Sequence, residues 1–152
     1  MEIELEKVDQ VLNKYEYEEG MLIQILQDVQ SELNWLPREA MERVCEGLKI
    51  PLSRAYNIGT FYTLFSLEPR GRHLVNVCMG TACHVRGGAK VLDKVEQSLG
   101  INAGKTSTDM RYSLEKVNCL GCCALGPVMV VNGEAHGKLA VSEIPKILDG
   151  YE

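Results

Sequence analysis

No stretch of this chain approaches the roughly 20 consecutive apolar residues that a bilayer-spanning helix needs. No basic segment followed by an apolar run opens it either. The expectation is a cytoplasmic protein, or one held at the inner face of a membrane complex by its partners, with no direct membrane insertion. A basic excess is also missing: the formal net charge is -5. Nothing is left over to neutralise a phosphate backbone, which argues against nucleic acid as the main partner. Neither a G-x-x-x-x-G-K-[ST] loop nor a G-x-G-x-x-G turn after a strand occurs, so the chain has no recognisable nucleotide cradle of its own. It shows no Ser–His–Asp order, no catalytic carboxylate pair, no internal repeat and no low-complexity segment.

What is present is enough for a core: 152 residues, 45% of them apolar. Charge divides unevenly. Residues 1–70 carry 7 Lys/Arg against 13 Asp/Glu, whereas residues 71–152 carry 9 against 8. The acidic half reads as a solvated helical face or a docking surface. Apolar positions at three- and four-residue steps predict helices over 5–15 and 21–33. Pro37 suits the first position of a helix from Pro37 to Leu48, and Pro51 starts another short one. Thr60 to Leu67 is β-rich in composition but adjoins a helix end, leaving its state open. The linker is Glu68-Pro69-Arg70-Gly71-Arg72. After it the pattern predicts a strand (73–78), a helix (about 87–99) and a strand (113–118). A hairpin follows through Asn132-Gly133, joining 128–131 to 134–136, and a last helix runs from Val141 to Leu148. That order, βαβ then ββα, is the order of a thioredoxin-like domain. The fold class is therefore α+β: a small helical bundle over 1–70, then a thioredoxin-like α/β domain over 71–152.

Four cysteines carry the chemistry: Cys78-x4-Cys83 and Cys119-x3-Cys123. Each pair follows a strand, and 35 residues separate Cys83 from Cys119, enough for one helix and a returning strand. Four thiolates on two loops can hold a binuclear iron–sulfur cluster, with two soft sulfur donors for each iron. In a reducing compartment six cysteines favour metal or redox chemistry over disulfides. Glycines 80, 87, 88, 121 and 126 let backbone N–H groups approach the sulfurs. Two rivals stand beside this reading. Four thiolates could hold a structural zinc, although the domain has core enough to fold without one. Cys119-Leu120-Gly121-Cys122 is a CxxC of the dithiol-exchange kind, but it follows the second strand rather than the first. On chemistry alone either Cys122 or Cys123 could be the fourth ligand. Cys45 reads as a small buried hydrophobe. His84 reads as a surface residue or a neighbour of the site, and His73 and His136 belong to no motif.

These residues resemble the thioredoxin-like [2Fe-2S] subunit of NADH-oxidising modules, the small partner found in respiratory complex I, NAD-linked hydrogenases and formate dehydrogenases. The resemblance rests on Thr60-Phe61-Tyr62-Thr63, on Cys78-Met79-Gly80-Thr81-Ala82-Cys83 with Val85-Arg86-Gly87, and on Cys119-Leu120-Gly121-x-Cys123 with Gly126-Pro127. It implies a [2Fe-2S] cofactor with Cys78, Cys83, Cys119 and Cys123 as ligands. Cys122 stands where the family usually has alanine, a departure that implies a non-ligand. The resemblance further implies a non-catalytic electron-transfer subunit of an NADH-dependent oxidoreductase. Its partner would be a flavin- and NADH-binding iron–sulfur subunit, with a hydrogenase or other terminal oxidoreductase subunit beyond it. Gly80-Thr81-Ala82 and Val131-Asn132-Gly133-Glu134 lean toward the hydrogenase-linked branch, in which electrons can be bifurcated, over complex I or formate dehydrogenase. The helical leader is the expected docking element.

Overall fold

A computed structural model describes residues 4–151, and the chain divides into two compact units between Pro69 and Arg70. The first unit is four helices: α1 (Leu5–Lys14), α2 (Leu22–Leu33), α3 (Arg38–Leu48) and α4 (Leu52–Phe61). Of the apolar positions at helical spacing, Val8 and Leu12 on α1 and Leu22, Ile25, Leu26 and Val29 on α2 are buried, whereas Leu5 is exposed; α3, expected from Pro37, buries Met41, Val44 and Leu48. Each such side chain contributes about 1.5–3 kcal/mol when fully buried. α1 and α3 come close at Gly47, where a Cβ would lie 2.9 Å from Leu12 Cδ1. Outside the core, Lys14 and the Tyr15 hydroxyl both donate to Asp28, joining α1 to α2, and Arg43 donates twice to Asp9, joining α3 to α1.

Two boundaries differ from expectation. Pro37 and Pro51 each sit one residue ahead of their helix with extended ψ, at 150° and 142°. Proline fixes φ at a helix-compatible value, so it prepares the first turn from outside as well as from within. The segment left open by composition is also settled. Thr60 and Phe61 finish α4, and no strand forms over residues 60–67. Cys45 is buried in α3, with its thiol directed at the Pro51 carbonyl.

The second unit is a five-stranded sheet in the order β2-β3-β1-β4-β5. The strands are β1 (His73–Cys78), β2 (Lys105–Thr106), β3 (Tyr112–Val117), β4 (Met129–Val131) and β5 (Glu134–His136). β1 and β3 run parallel, with Val75 opposite Leu114 and Cys78 opposite Val117, and the other pairs are antiparallel. Three helices complete the unit: α5 (Thr81–Val85), α6 (Gly88–Leu99) and α7 (Ile144–Asp149). α6 packs on β1 and β3 and α7 packs on α6, enclosing Val75, Val77, Val91, Leu114, Met129 and Ile144. Ser113, between Tyr112 and Leu114 and so on the other face of β3, is buried with its hydroxyl accepting the Gly71 N–H and bonding Thr106. The hairpin turns at Asn132 and Gly133, both at positive φ (51° and 88°), as a two-residue turn of this kind demands. Among the described residues no helix is long and apolar enough to cross a membrane.

Candidate metal centre

Because β1 and β3 are parallel neighbours in register, their C-terminal ends open at the same end of the sheet. Cys78 is the last residue of β1, and Cys119 lies two residues beyond β3. Cys83 is carried on α5, a helix of five residues that Gly80 precedes and Gly87 follows. Cys123 begins a 3-10 turn, Cys123–Leu125. All four line one recess, with Gly80, Leu120, Cys122 and Val128. Each of the four residues singled out from spacing is therefore brought to the same place.

The two loops are held together tightly. A Cβ on Gly80 would lie 2.9 Å from Cys119 Cβ, one on Gly126 would lie 3.1 Å from Cys83 Sγ, and one on Gly88 would lie 2.9 Å from the Cys83 carbonyl. Arg86 closes the assembly by donating from Nη1 to the Cys123 carbonyl at 2.6 Å. Sequence reasoning gave Arg86 no such role. Its only signal was its place in the Val85-Arg86-Gly87 segment.

The sulfurs differ in their surroundings. Cys78 and Cys83 are both 2% exposed, whereas Cys119 and Cys123 face outward. Burial alone pushes the Cys78 thiol up, but N–H groups of Gly80 and Leu120, with the Cys83 thiol, outweigh it, so the net shift is downward. Burial and the neighbouring Cys78 push Cys83 upward, and its hydrogen bond with Cys119 pushes Cys123 upward. In the buried pair the thiolate is thus favoured on Cys78 and disfavoured on Cys83, the pattern expected when like groups share a site. The Gly121 N–H points at Cys119 Sγ from 3.4 Å, from a backbone at φ 82°.

Donor set and spacing suit a binuclear cluster. Two thiolates on one tetrahedral metal lie roughly 3.7 Å apart, given a metal–sulfur bond of about 2.3 Å. Cys119 Sγ and Cys123 Sγ are 3.4 Å apart. The histidines stay apart from the sulfurs. His84 is exposed, His136 bonds the Tyr151 hydroxyl, and His73 bonds Asn132.

Comparison with known proteins agrees. The chain is 34% identical over 145 residues to the NADP-reducing hydrogenase subunit HndA of Solidesulfovibrio fructosivorans, covering 95% of this chain and 85% of that protein. It is 32% identical over 149 residues to an NADH-quinone oxidoreductase subunit of Escherichia coli K12, covering 98% and 90%. Among solved structures, a chain of an NAD+-reducing [NiFe]-hydrogenase in the air-oxidized state matches 86% of this chain with a TM-score of 0.73. At 18% identity that likeness speaks for the fold, and this chain spans 23% of the hydrogenase chain. The family described as thioredoxin-like [2Fe-2S] ferredoxin matches residues 8–152. With four thiols gathered where two parallel strands end, and a match running almost the full length, the chain belongs to the thioredoxin-like [2Fe-2S] ferredoxin family.

Proposed function

We propose that this chain is the electron-carrying subunit of an NAD(P)H-linked oxidoreductase complex, holding one [2Fe-2S] cluster on Cys78, Cys83, Cys119 and Cys123. The observation that carries the reading is the convergence of two cysteine pairs from adjacent parallel strands on one recess. The relatives support the setting, since their names place them as subunits of a hydrogenase and of an NADH–quinone oxidoreductase. When bound, the cluster supplies one-electron uptake and release.

The residues of the chain divide the remaining work. Cys78 and Cys83 form the buried pair, closed off from water by Val128. Cys119 and Cys123 form the outer pair, on the side from which an electron partner approaches. The N–H groups of Gly80, Leu120 and Gly121 point at sulfur and would stabilise thiolate charge, one of the protein's levers on reduction potential. Arg86 fixes the second loop through the Cys123 carbonyl. The helical unit, 1–70, is the docking element for a flavin- and NADH-binding subunit. We favour a hydrogenase-linked complex, in line with the Gly80-Thr81-Ala82 segment, over a quinone-linked one. Dithiol exchange has less support: the sulfur beside Cys119 is Cys123, and the Cys122 thiol points to the Leu120 carbonyl at 3.8 Å.

The test uses the chain purified anaerobically with its co-purifying subunits. Addition of NADH or NADPH is expected to bleach the visible iron–sulfur absorption, and the Cys83→Ser complex is expected to show no such change from this chain. If the Cys83→Ser complex bleaches to the same extent, the reading fails. Hydrogen as reductant separates the hydrogenase-linked branch from the quinone-linked one.

A further inference from the structure

The end of the α/β unit that bears the cysteines has an unusual charge. From Cys78 to Leu92 the chain carries Arg86 and Lys90 and no Asp or Glu. From Lys116 to Gly133 it carries Lys116 alone, and from Ala135 to Ser142 it carries Lys138 alone. The whole chain is at -5, so carboxylates are plentiful elsewhere and missing here. Parts of these segments meet in a groove of about 450 Å³ lined by Val85, Arg86, Lys90, Pro127, Leu139 and Val141. Val85 is 80% exposed and Val141 40% exposed. The first turn of α6 opens into the groove through Gly87 and Ala89, and a helix of 12 residues adds partial positive charge there. Arg86 joins this groove to the cysteine site, since its guanidinium donates to the Cys123 carbonyl. Apolar floor, cationic wall and contact with the outer cysteine loop thus occur together.

We propose that this groove docks an acidic segment of the subunit with which the chain exchanges electrons. One apolar side chain of that segment would rest on Val85, and its carboxylates would face Arg86 and Lys90. The proposal rests on the electron-carrier reading and adds the chemistry of the partner surface. The choice of occupant follows from charge complementarity: a groove with cations and no carboxylate steers an acidic surface toward it and repels a basic one. Apolar side chains left in water at such a rim gain by being covered.

The experiment places a photo-activated cross-linking residue at position 85 in the full chain, within the complex purified with its own subunits. A second preparation carries the same residue at position 97 on α6, where Gln97 is exposed and lines no part of the groove. The expected result is an adduct from position 85, and not from 97, that maps by mass spectrometry to an Asp/Glu-rich segment of another subunit. An adduct to residues 4–69 of the same chain, to a second copy, to a segment without carboxylates, or no adduct at all, would overturn the proposal. Independently, Lys90→Glu is expected to slow association with that subunit about tenfold at low salt. The difference should vanish near 0.5 M salt, where screening reaches only a few Å. An unchanged rate with full iron content refutes the groove alone, whereas a wild-type chain devoid of iron refutes the electron-carrier reading.

Discussion

Gly80→Ala tests how closely the two cysteine loops are fitted to each other. Gly80 has φ -58° and ψ 156°, a conformation open to any residue, so an added methyl brings no torsional strain. What it meets is the other loop: Cys119 Cβ at 2.9 Å, Cys119 Cα at 3.0 Å and Cys119 N at 3.3 Å. Carbon atoms rest at about 3.5–4.0 Å, so the loops must part by roughly 0.5–1 Å. Overpacking of this kind costs about 1–3 kcal/mol. For a unit the size of Arg70–Glu152 that is a fall in Tm of roughly 4–24 °C. The movement also separates Cys78 and Cys83 from Cys119 and Cys123, so iron content and visible circular dichroism should fall together. Gly104→Ala is the control. Its φ is 84° with nothing within 4 Å of the new methyl, so it costs about 1–2 kcal/mol of backbone strain and leaves iron intact. Calorimetry and iron analysis on both variants decide the matter. A Gly80→Ala protein with wild-type Tm and full iron would refute the close fit of the loops.

Cys83→Ser is expected to lose the visible iron–sulfur spectrum, while Cys122→Ala keeps full iron and sulfide; the reverse result would make Cys122 the ligand. Ile25→Ala, at a position with 0% exposure, is expected to destabilise the helical unit by about 2–5 kcal/mol, read as a lower urea midpoint with iron content unchanged. Tyr151 is pushed up to about 12 by burial and by its hydrogen bond to Glu134. Its folded value lies above the ordinary value of about 10, so its contribution to stability is complete below pH 10 and is lost as pH rises through 12. Ultraviolet titration should show this late ionisation in the wild type and not in Tyr151→Phe.

Much of the fold is legible in the sequence, for physical reasons that also explain the gaps. α1, α2, α3 and α6 each bury one face on a 3.6-residue period, and the turn at Asn132-Gly133 announces its hairpin. Two elements left no such trace. β2 is only Lys105–Thr106, too short for alternation, and it is held by backbone pairing with β3, to which the Thr106–Ser113 hydroxyl contact adds. α5 has five residues, and its sequence, Thr81-Ala82-Cys83-His84-Val85, has no apolar face to betray it. The last helix begins at Ile144, three residues later than expected, because a turn over Val141–Glu143 precedes it. At the site, spacing alone could not separate Cys122 from Cys123. The close approach of Gly80 and Gly126 to the opposite cysteines, and the Arg86 bridge, arise between residues distant in sequence. No local pattern encodes such contacts.

The most direct measurement is the elemental content of anaerobically purified protein, with a reduced-state electron paramagnetic resonance spectrum of the same sample. Coordination by Cys78, Cys83, Cys119 and Cys123 predicts two irons and two acid-labile sulfides per chain, the content of a [2Fe-2S] cluster, with one unpaired spin on reduction. A colourless chain holding one zinc, or iron without labile sulfide, would contradict the account.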